Sequence, residues 1–222
     1  EVSKAYYGEL AGQPDVYTFT ATAPFDLYVN VLAPNSPGQE KHVSALVLKD
    51  GAEVANLQAE GFAWKSYHEP FGNDNYFMGP EYKARAEAGQ YEVRVSSPGN
   101  TSKYSLAIGE TEALNFSESY NAVRTIPQLK KTFFNVSPAT FIFSPFGAGF
   151  IVTMFVLAFV FGFAYRWLVR KLVKAKPGTR PAGKNINTEA RLRRAGIGLG
   201  LLLVAIFTTW HPLLLFASGF CF

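Results

Sequence analysis

Two different patterns of hydrophobic positions divide this chain. Up to about residue 110, apolar side chains alternate with polar ones in short runs that end at Gly, Pro, Asn or Asp. A period of two is typical of half-buried antiparallel strands. From residue 146 onwards, two long apolar runs flank a basic segment. The pattern therefore predicts a β-rich first part and a helical second part.

The alternating part contains about eight candidate strands. In FDLYVNVLAP, the side chains of Leu27, Val29 and Val31 share one face, because residues two apart in a strand point the same way. Asp50-Gly51 separates two further strands and is a strong hairpin signal, since both residues tolerate positive φ. We expect a β-sandwich over residues 1–112.

The first and last strands of this part carry a recurrent theme. YYGELAGQPDVYTFTA opens it with Asp-x-Tyr-x-Phe, and AEAGQYEVRVSSPGNTSKYSLAIGE closes it with Gly-x-Tyr-x-Val-x-Val and Tyr-x-Leu-x-Ile. This order resembles the bacterial and archaeal pre-peptidase C-terminal domain, an all-β, jelly-roll-like sandwich of secreted and cell-surface proteins. The resemblance implies an appendage that binds or positions. The matching residues are Asp15, Tyr17, Phe19, Gly89, Tyr91, Val93, Val95, Tyr104, Leu106 and Ile108.

The two apolar runs have the length of membrane spans. Phe146 to Tyr165 is twenty residues without a charge, and at about 1.5 Å per residue it matches the roughly 30 Å core of a bilayer. Ala195 to Phe222 contains no Asp, Glu, Lys or Arg. We expect a transmembrane α-helical hairpin with helices over residues 146–172 and 195–222. Pro212 leaves the alternative that the last residues tilt or lie along the outer leaflet.

A pair of small residues suggests how the two spans meet. Gly196 and Gly200 form a GxxxG in the second run, and this spacing lets helix backbones approach closely in lipid. We assign these two glycines to helix packing, with the Phe-rich first span as the expected neighbour.

Charge is concentrated between the spans. Residues 166–194 carry ten basic side chains and one acidic one, whereas residues 1–145 carry 11 basic and 16 acidic ones. The positive-inside rule places the basic loop, residues 173–194, in the cytoplasm. A basic excess confined to one loop also argues against nucleic-acid binding. The residues assigned to topology and to contact with the lipid bilayer are Arg166, Arg170, Lys171, Lys174, Arg191, Arg193 and Arg194.

This topology predicts an exported first domain. We expect a chain of the cytoplasmic (plasma) membrane whose N-terminal domain and C-terminus are extracytoplasmic. The first residue is Glu1 and not Met, which fits a removed signal peptide or a partial chain. Residues 113–145 are expected to be a linker and an interfacial collar, because residues 132–146 hold five Phe directly before the first span.

An aromatic segment, GFAWKSYHEPFGNDNYFMGP, interrupts the strand pattern. We expect a long loop that packs on its own sandwich, forms a partner surface or stacks on sugars. The partner-contact candidates are Phe62, Trp64, Tyr67, Phe71, Tyr76 and Phe77. Asn73, Asp74 and Asn75 are weak calcium candidates, because consecutive Asx residues beside a Gly are more typical of a turn.

Groups suited to catalysis or metal binding are scarce. The chain has three histidines, one cysteine and no Gly-x-Ser-x-Gly elbow. The single Cys221 forms no internal disulfide, and Cys and His do not occur in the pairs that zinc sites use. We expect no catalytic residues, no cofactor and no structural metal.

These features favour a non-catalytic accessory or structural subunit. In this interpretation the exported sandwich contacts other membrane protein subunits of a larger complex. The alternative is a cell-envelope module that recognises a polysaccharide, with or without calcium. A third hypothesis, a surface enzyme, requires a catalytic pair assembled from scattered carboxylates.

Overall fold

The computed structural model describes residues 3–39, 41–110, 116–174, 188–207 and 210–221. The chain divides into two compact units. The sandwich unit comprises Glu1–Ser119 and Thr132–Asn135, and the helical unit comprises Tyr120–Lys131 and Val136–Phe222. Each unit has a hydrophobic core of its own.

Two antiparallel sheets form the sandwich unit, which confirms the predicted β-sandwich. The five-stranded sheet has the order β1-β9-β3-β7-β6, and the four-stranded sheet has the order β2-β8-β4-β5. The strands in the described part are β1 Lys4–Glu9, β2 Asp15–Ala21, β3 Phe25–Pro34, β4 Ser44–Lys49, β5 Ala52–Leu57, β6 Lys65–Glu69, β7 Asp74–Ala86, β8 Gly89–Ser96 and β9 Lys103–Ile108. A short 3-10 helix, Pro98–Asn100, precedes β9.

The core of the sandwich follows the period of two. Leu27, Val29 and Val31 of β3 are fully buried, and Val93 and Val95 of β8 are buried opposite them in the other sheet. Burial of such a side chain contributes about 1.5–3 kcal/mol relative to an exposed one. The alternating pattern therefore identified the inward face correctly.

The predicted hairpin at Asp50-Gly51 is confirmed. The two residues have φ of 49° and 82° and join β4 directly to β5, as a type I′ turn requires. The Asp50 backbone N–H donates to the Gln90 carbonyl at 2.8 Å, and Asp50 Oδ1 accepts from the Gln90 N–H at 3.0 Å. The turn is thus also fixed to the start of β8.

The aromatic segment is mainly a hairpin and not the long loop that the sequence suggested. β6 and β7 pair over most of it, and only four residues, Pro70 to Asn73, connect them. The Glu69 carboxylate closes this turn by accepting from the N–H groups of Phe71 and Gly72 at 2.6 and 2.7 Å. The strand KSYHE was missed because it contains no aliphatic residue with which to show a buried face.

Phe133 and Phe134 lie on the sandwich, although the sequence assigned them to an interfacial collar. Both are buried, and Thr132–Asn135 belongs to the sandwich unit. The ring of Phe133 packs edge-on against Tyr7 at 5.2 Å, and that of Phe134 against Tyr76 at 5.1 Å. They cover the outer face of the five-stranded sheet.

Polar contacts hold this segment in place. Ser36 Oγ donates to the Phe134 carbonyl at 2.9 Å, and Lys103 Nζ donates to the Thr132 carbonyl at 2.7 Å. These two hydrogen bonds hold the segment against the outer face of the five-stranded sheet. Phe133 and Phe134 form a second, smaller site of apolar packing there.

Helices make up the second unit. The described helices are α1 Phe116–Thr132, α2 Pro145–Lys174, α3 Thr188–Phe207 and α4 Pro212–Cys221, and a 3-10 helix, Pro138–Phe143, precedes α2. α1 lies in the stretch that the sequence assigned to a linker. The sequence did not indicate α1, which contains Pro127 in its interior.

One stretch of α2, Pro145–Ala164, is long and apolar enough to cross a membrane by length and composition, and it is the one such helix in the part of the chain that the structure describes. Only 11% of its apolar window is buried within the chain. Phe159 and Phe163 are 75% and 67% exposed. This helix therefore presents apolar side chains outwards.

The second apolar run is not one helix. α3 ends at Phe207 and α4 begins at Pro212, whereas the sequence predicted a single helix over residues 195–222. Arg193 and Arg194 are exposed on α3. Most of the basic loop, at 175–187, lies outside the described residues, as do the side chains of Arg166, Arg170, Lys171, Lys174 and Arg191.

Trp210 is the centre of the helical core. Its side chain is 0% exposed, its ring packs against Phe141 at 4.7 Å, and its indole N–H donates to the Pro138 carbonyl at 3.1 Å. Gly196 and Gly200 are exposed, and an added Cβ at either would meet nothing within 4 Å. Their assignment to helix packing stays a prediction.

We predict that Phe134→Ala destabilises the sandwich unit by roughly 3 kcal/mol, because a buried Phe loses its transfer energy and leaves a cavity. The urea midpoint of the full chain in detergent, followed by pulse proteolysis with fragment detection for residues 1–110, measures this change. Phe143→Ala is the matched control, since Phe143 is 77% exposed and its truncation should stay within about 0.5 kcal/mol. Equal effects of the two substitutions would contradict the packing of Phe134.

Candidate binding surfaces

A polar groove runs along the edge of the four-stranded sheet. β5 is the last strand of that sheet, and its side chains form one wall of a cavity of about 650 Å³. Residues of the neighbouring β4, together with Ser96, Ser97 and Pro98 at the end of β8, also line it. We call this cavity the polar groove; its polar lining residues are His42, Ser44, Glu53, Asn56, Gln58, Glu60, Ser96 and Ser97.

Hydrogen bonds fix part of the groove lining. Ser44 Oγ accepts from the Ala59 backbone N–H at 2.9 Å, which anchors the connection between β5 and β6. The Gln58 amide donates to the Asn56 side-chain oxygen. The hydroxyl of Ser97 is buried at the groove without a hydrogen-bond partner among the described residues. Amide and hydroxyl groups thus converge on one concave surface.

Aromatic side chains stand at one end of this groove. A neighbouring cavity of about 450 Å³ shares His42, Ala59 and Glu60 with the groove and adds Phe62 and Trp64. Phe62 is 40% exposed and packs edge-on against Trp64 at 6.2 Å. A continuous surface therefore joins an exposed ring to a set of polar groups.

The ring of Trp64 packs closely against the backbone of a glycine on β7. A Cβ at Gly79 would lie 2.5 Å from the Trp64 ring and 2.7 Å from the Val31 carbonyl oxygen. The close approach therefore requires glycine at this position. Within the part of the chain that the structure describes, the buried indole N–H of Trp64 has no hydrogen-bond partner.

The six predicted contact residues do not form one surface. Phe62 and Trp64 lie at the groove, whereas Tyr67 packs with the buried Tyr76 at 6.4 Å on the outer face of the five-stranded sheet. Phe77 lies under the Lys41 ammonium, whose Nζ is 3.8 Å from the ring centroid.

Phe71 is half-buried in the turn between β6 and β7. The other five candidates are divided between two faces. These residues are close in the sequence, but successive side chains of a strand point to opposite faces of the sheet.

The weak calcium candidates are turn and strand residues. Asn73 has φ 58° and ends the four-residue turn, and Asp74 is buried at the start of β7. Asn75 Oδ1 is 2.9 Å from Nδ1 of His68 on the paired strand. Among the described residues, no group of three or more His, Cys, Asp or Glu could hold a metal ion. Hairpin geometry accounts for these three residues.

A tyrosine network connects the two sheets. The hydroxyl of Tyr104 on β9 donates to Asp15 Oδ2 at 2.6 Å and lies 2.6 Å from the Tyr17 hydroxyl. Asp15 and Tyr17 belong to β2 in the other sheet. Burial, followed by the hydrogen bonds to Asp15 and Tyr17, raises the pKa of Tyr104 above its ordinary value. These residues matched the resemblance, but only the structure shows that they bond to one another.

No family model and no curated protein sequence matches the chain. Among solved structures, the pre-peptidase C-terminal domain of a collagenase from Bacillus anthracis is 19% identical with a TM-score of 0.32, over 49% of this chain and 88% of that one. The catalytic domain of a GH87 alpha-1,3-glucanase in complex with tetrasaccharides is 13% identical with a TM-score of 0.26, over 50% and 22%. The C-terminal domain of EclA, a sugar-binding protein, is 17% identical with a TM-score of 0.28, over 49% and 79%. These likenesses do not assign the chain to a family.

We predict that the sandwich unit loses stability as the pH rises above about 10, the ordinary pKa of tyrosine. The folded-state pKa of Tyr104 is raised, so its contribution is complete below the unfolded pKa and is lost as the pH rises towards the folded one. The urea midpoint of the full chain, measured from pH 8 to pH 11, should fall.

The variant Tyr104→Phe should be roughly 1–3 kcal/mol less stable at pH 8, because Asp15 loses its donor, and its midpoint should fall less steeply with pH. Tyr67→Phe, at a part-exposed position, is the control. A wild-type midpoint independent of pH up to 11 would contradict the role of the network.

Proposed function

We propose that this chain is a non-catalytic, membrane-anchored accessory or structural subunit of a larger membrane protein complex, whose β-sandwich makes protein–protein contacts. The observation that carries the proposal is the outward apolar surface of α2. Val152, Val156 and Phe159 are each more than half exposed. A contiguous apolar surface of this kind marks a membrane or protein interaction site.

The dimensions of α2 favour the bilayer. Pro145–Ala164 is 20 residues long, which corresponds to about 30 Å at the helical rise. The core helix of a soluble protein buries most of its surface, whereas α2 leaves most of its apolar window exposed. With the basic segment in the cytoplasm, the sandwich unit lies outside the cytoplasmic membrane in this proposal.

The polar groups of the sandwich support a scaffolding role. Asp15 accepts from Tyr104 across the two sheets, the Glu69 carboxylate closes a turn, and Ser44 anchors a loop. Each is engaged in holding the fold. The sandwich then serves to present surfaces, and the polar groove with Phe62 is the contact surface that we assign to it.

A second candidate function is recognition of an envelope polysaccharide at the polar groove. An exposed Phe62 beside the amides of Asn56 and Gln58 combines apolar area with neutral donors and acceptors. Binding sites combine an apolar wall with a few well-placed polar groups in this way. The polar groove is also the contact surface that we assign to the first candidate function, so both candidate functions use the same surface.

We predict that the full chain stays in the membrane fraction at alkaline pH and, after mild detergent solubilisation, migrates with other membrane proteins in fixed stoichiometry. Size-exclusion chromatography and mass spectrometry of the native membrane measure this. Release into the soluble fraction at alkaline pH would contradict membrane anchoring. A monomer or homodimer free of other proteins would contradict the subunit role.

For the second candidate, Phe62→Ala should weaken binding of the full chain to isolated envelope polysaccharide at least several-fold, because the exposed ring at the groove is lost. Tyr67→Ala is the matched control, since Tyr67 has a similar exposure but lies on the outer face of the other sheet. Glycan array binding followed by titration measures both variants. Equal affinities of the two variants would exclude the groove as the glycan site.

A further inference from the structure

Specific contacts stabilise the turn between α3 and α4. Trp210 has φ 51°, and its backbone N–H donates to the Ala205 carbonyl at 2.8 Å, which closes the C-terminal end of α3. A left-handed conformation is unfavourable for a residue other than glycine. The complete burial of the Trp210 side chain and its bond to the Pro138 carbonyl offset that cost.

A new helix starts directly after this turn. Pro212 occupies the first position of α4, where its missing N–H leaves no helical bond unmade. The N–H groups of Leu214 and Leu215 donate to the His211 carbonyl at 3.0 and 3.2 Å, and the Leu213 N–H donates to His211 Nδ1 at 3.3 Å. His211 thus caps α4, so the two helices are separate elements.

The contacts of α4 show in which direction it runs. α4 packs against both α2 and α3. Trp210, before α4, contacts Phe141, before α2. Further along, an added Cβ at Gly219 would lie 3.0 Å from Cβ of Ala158 on α2. Later residues of α4 therefore meet later residues of α2, and the two helices run parallel.

α3 runs the opposite way. Its last turns contribute Ala205 and Ile206 to the cluster that contains Phe141 and Trp210. The end of α3 therefore lies beside the beginning of α2. The chain approaches this level along α3, turns at Trp210 and returns along α4.

The depth of α4 follows from its contacts with α2. A Cβ at Gly219 would lie 3.0 Å from Cβ of Ala158 and 3.4 Å from Cα of Phe155. Phe155 is ten residues beyond Pro145, where the apolar stretch begins, or about 15 Å, half of a bilayer core of roughly 30 Å. In one straight helix from Ala195, Gly219 would instead be about 36 Å away, beyond the opposite interface.

We propose that the chain reverses direction at Trp210 at the outer interface, and that α4 is a separate membrane segment that descends beside α2 towards the middle of the bilayer. This inference rests on the proposed membrane insertion of α2. Leu213, 71% exposed, then contacts acyl chains. The buried Ser218 hydroxyl donates to the Leu215 carbonyl at 2.7 Å, so this polar group is satisfied in an apolar surrounding.

Site-directed spin labelling of the full chain in membranes tests the direction of α4. In a Cys221→Ser background, single cysteines replace Leu213 and Ala217 on α4, and Val152 and Val156 on α2. Accessibility to oxygen against a water-soluble nickel chelate gives each label its depth. We expect Ala217 to be deeper than Leu213, just as Val156 is deeper than Val152.

The other outcomes are distinguishable. A label at Ala217 that is shallower than one at Leu213 would show a continuous crossing, and equal shallow depths would show a helix along the outer leaflet; either overturns the inference. Water-accessible labels at Val152 and Val156 would instead overturn the proposed membrane anchor.

A crosslink gives a second test that does not depend on depth. In the Cys221→Ser background, the pair Ala158→Cys and Gly219→Cys should form a disulfide under mild oxidation. A Cβ at Gly219 would lie 3.0 Å from Cβ of Ala158, which is near the separation of about 3.8 Å that is typical of the two Cβ atoms in a disulfide. Ala158→Cys with Gly200→Cys is the matched control, since nothing lies within 4 Å of a Cβ at Gly200. No crosslink, or equal yields from both pairs, would overturn the packing of α4 on α2.

Discussion

The alignment of the two sheets depends on the hydroxyl of Tyr104. Apolar burial holds the sheets together, but it is non-directional and does not by itself fix their relative position. Hydrogen bonds are directional, and Tyr104 bonds to Asp15 and Tyr17 of the opposite sheet. Gly8 leaves the space that the ring requires, since an added Cβ would lie 2.5 Å from it. Tyr104 therefore provides a directional link between the two sheets.

The two units differ in where their apolar side chains lie. The sandwich unit buries its aliphatic side chains between the sheets and also covers its outer face with Phe133 and Phe134. The helical unit builds a small core around Trp210 and leaves much of α2 exposed. The first arrangement suits a domain in water, and the second supports the proposed anchor in lipid, where acyl chains are as apolar as the exposed side chains. The proposed function, an accessory module on a membrane segment, accommodates both arrangements.

In the helical core, as in the sandwich, a hydrogen bond from one aromatic side chain gives direction to the apolar packing around it. The indole N–H of Trp210 bonds to Pro138, while its ring fills the space beside Phe141. Because Trp210 also adopts a positive φ, this single residue ends one helix and orients the next. The GxxxG of α3 is exposed, whereas Gly219, outside any such motif, makes the close approach to α2. Small-residue spacing indicates where helices are able to meet, but the partner is decided by the rest of the packing.

Local chemistry explains what the sequence determined by itself. Alternation in β3 and β8 identified the sandwich core, Asp50-Gly51 identified a hairpin, and an uncharged run of twenty residues identified the apolar stretch of α2. These features depend on neighbours within a few residues. The burial of Phe134 on Tyr76, the bond from Trp210 to Pro138 and the division of the aromatic residues between two faces join positions far apart in the chain. Only the tertiary structure decided them, because a periodic pattern shows which face a residue occupies but not which distant side chain it meets there.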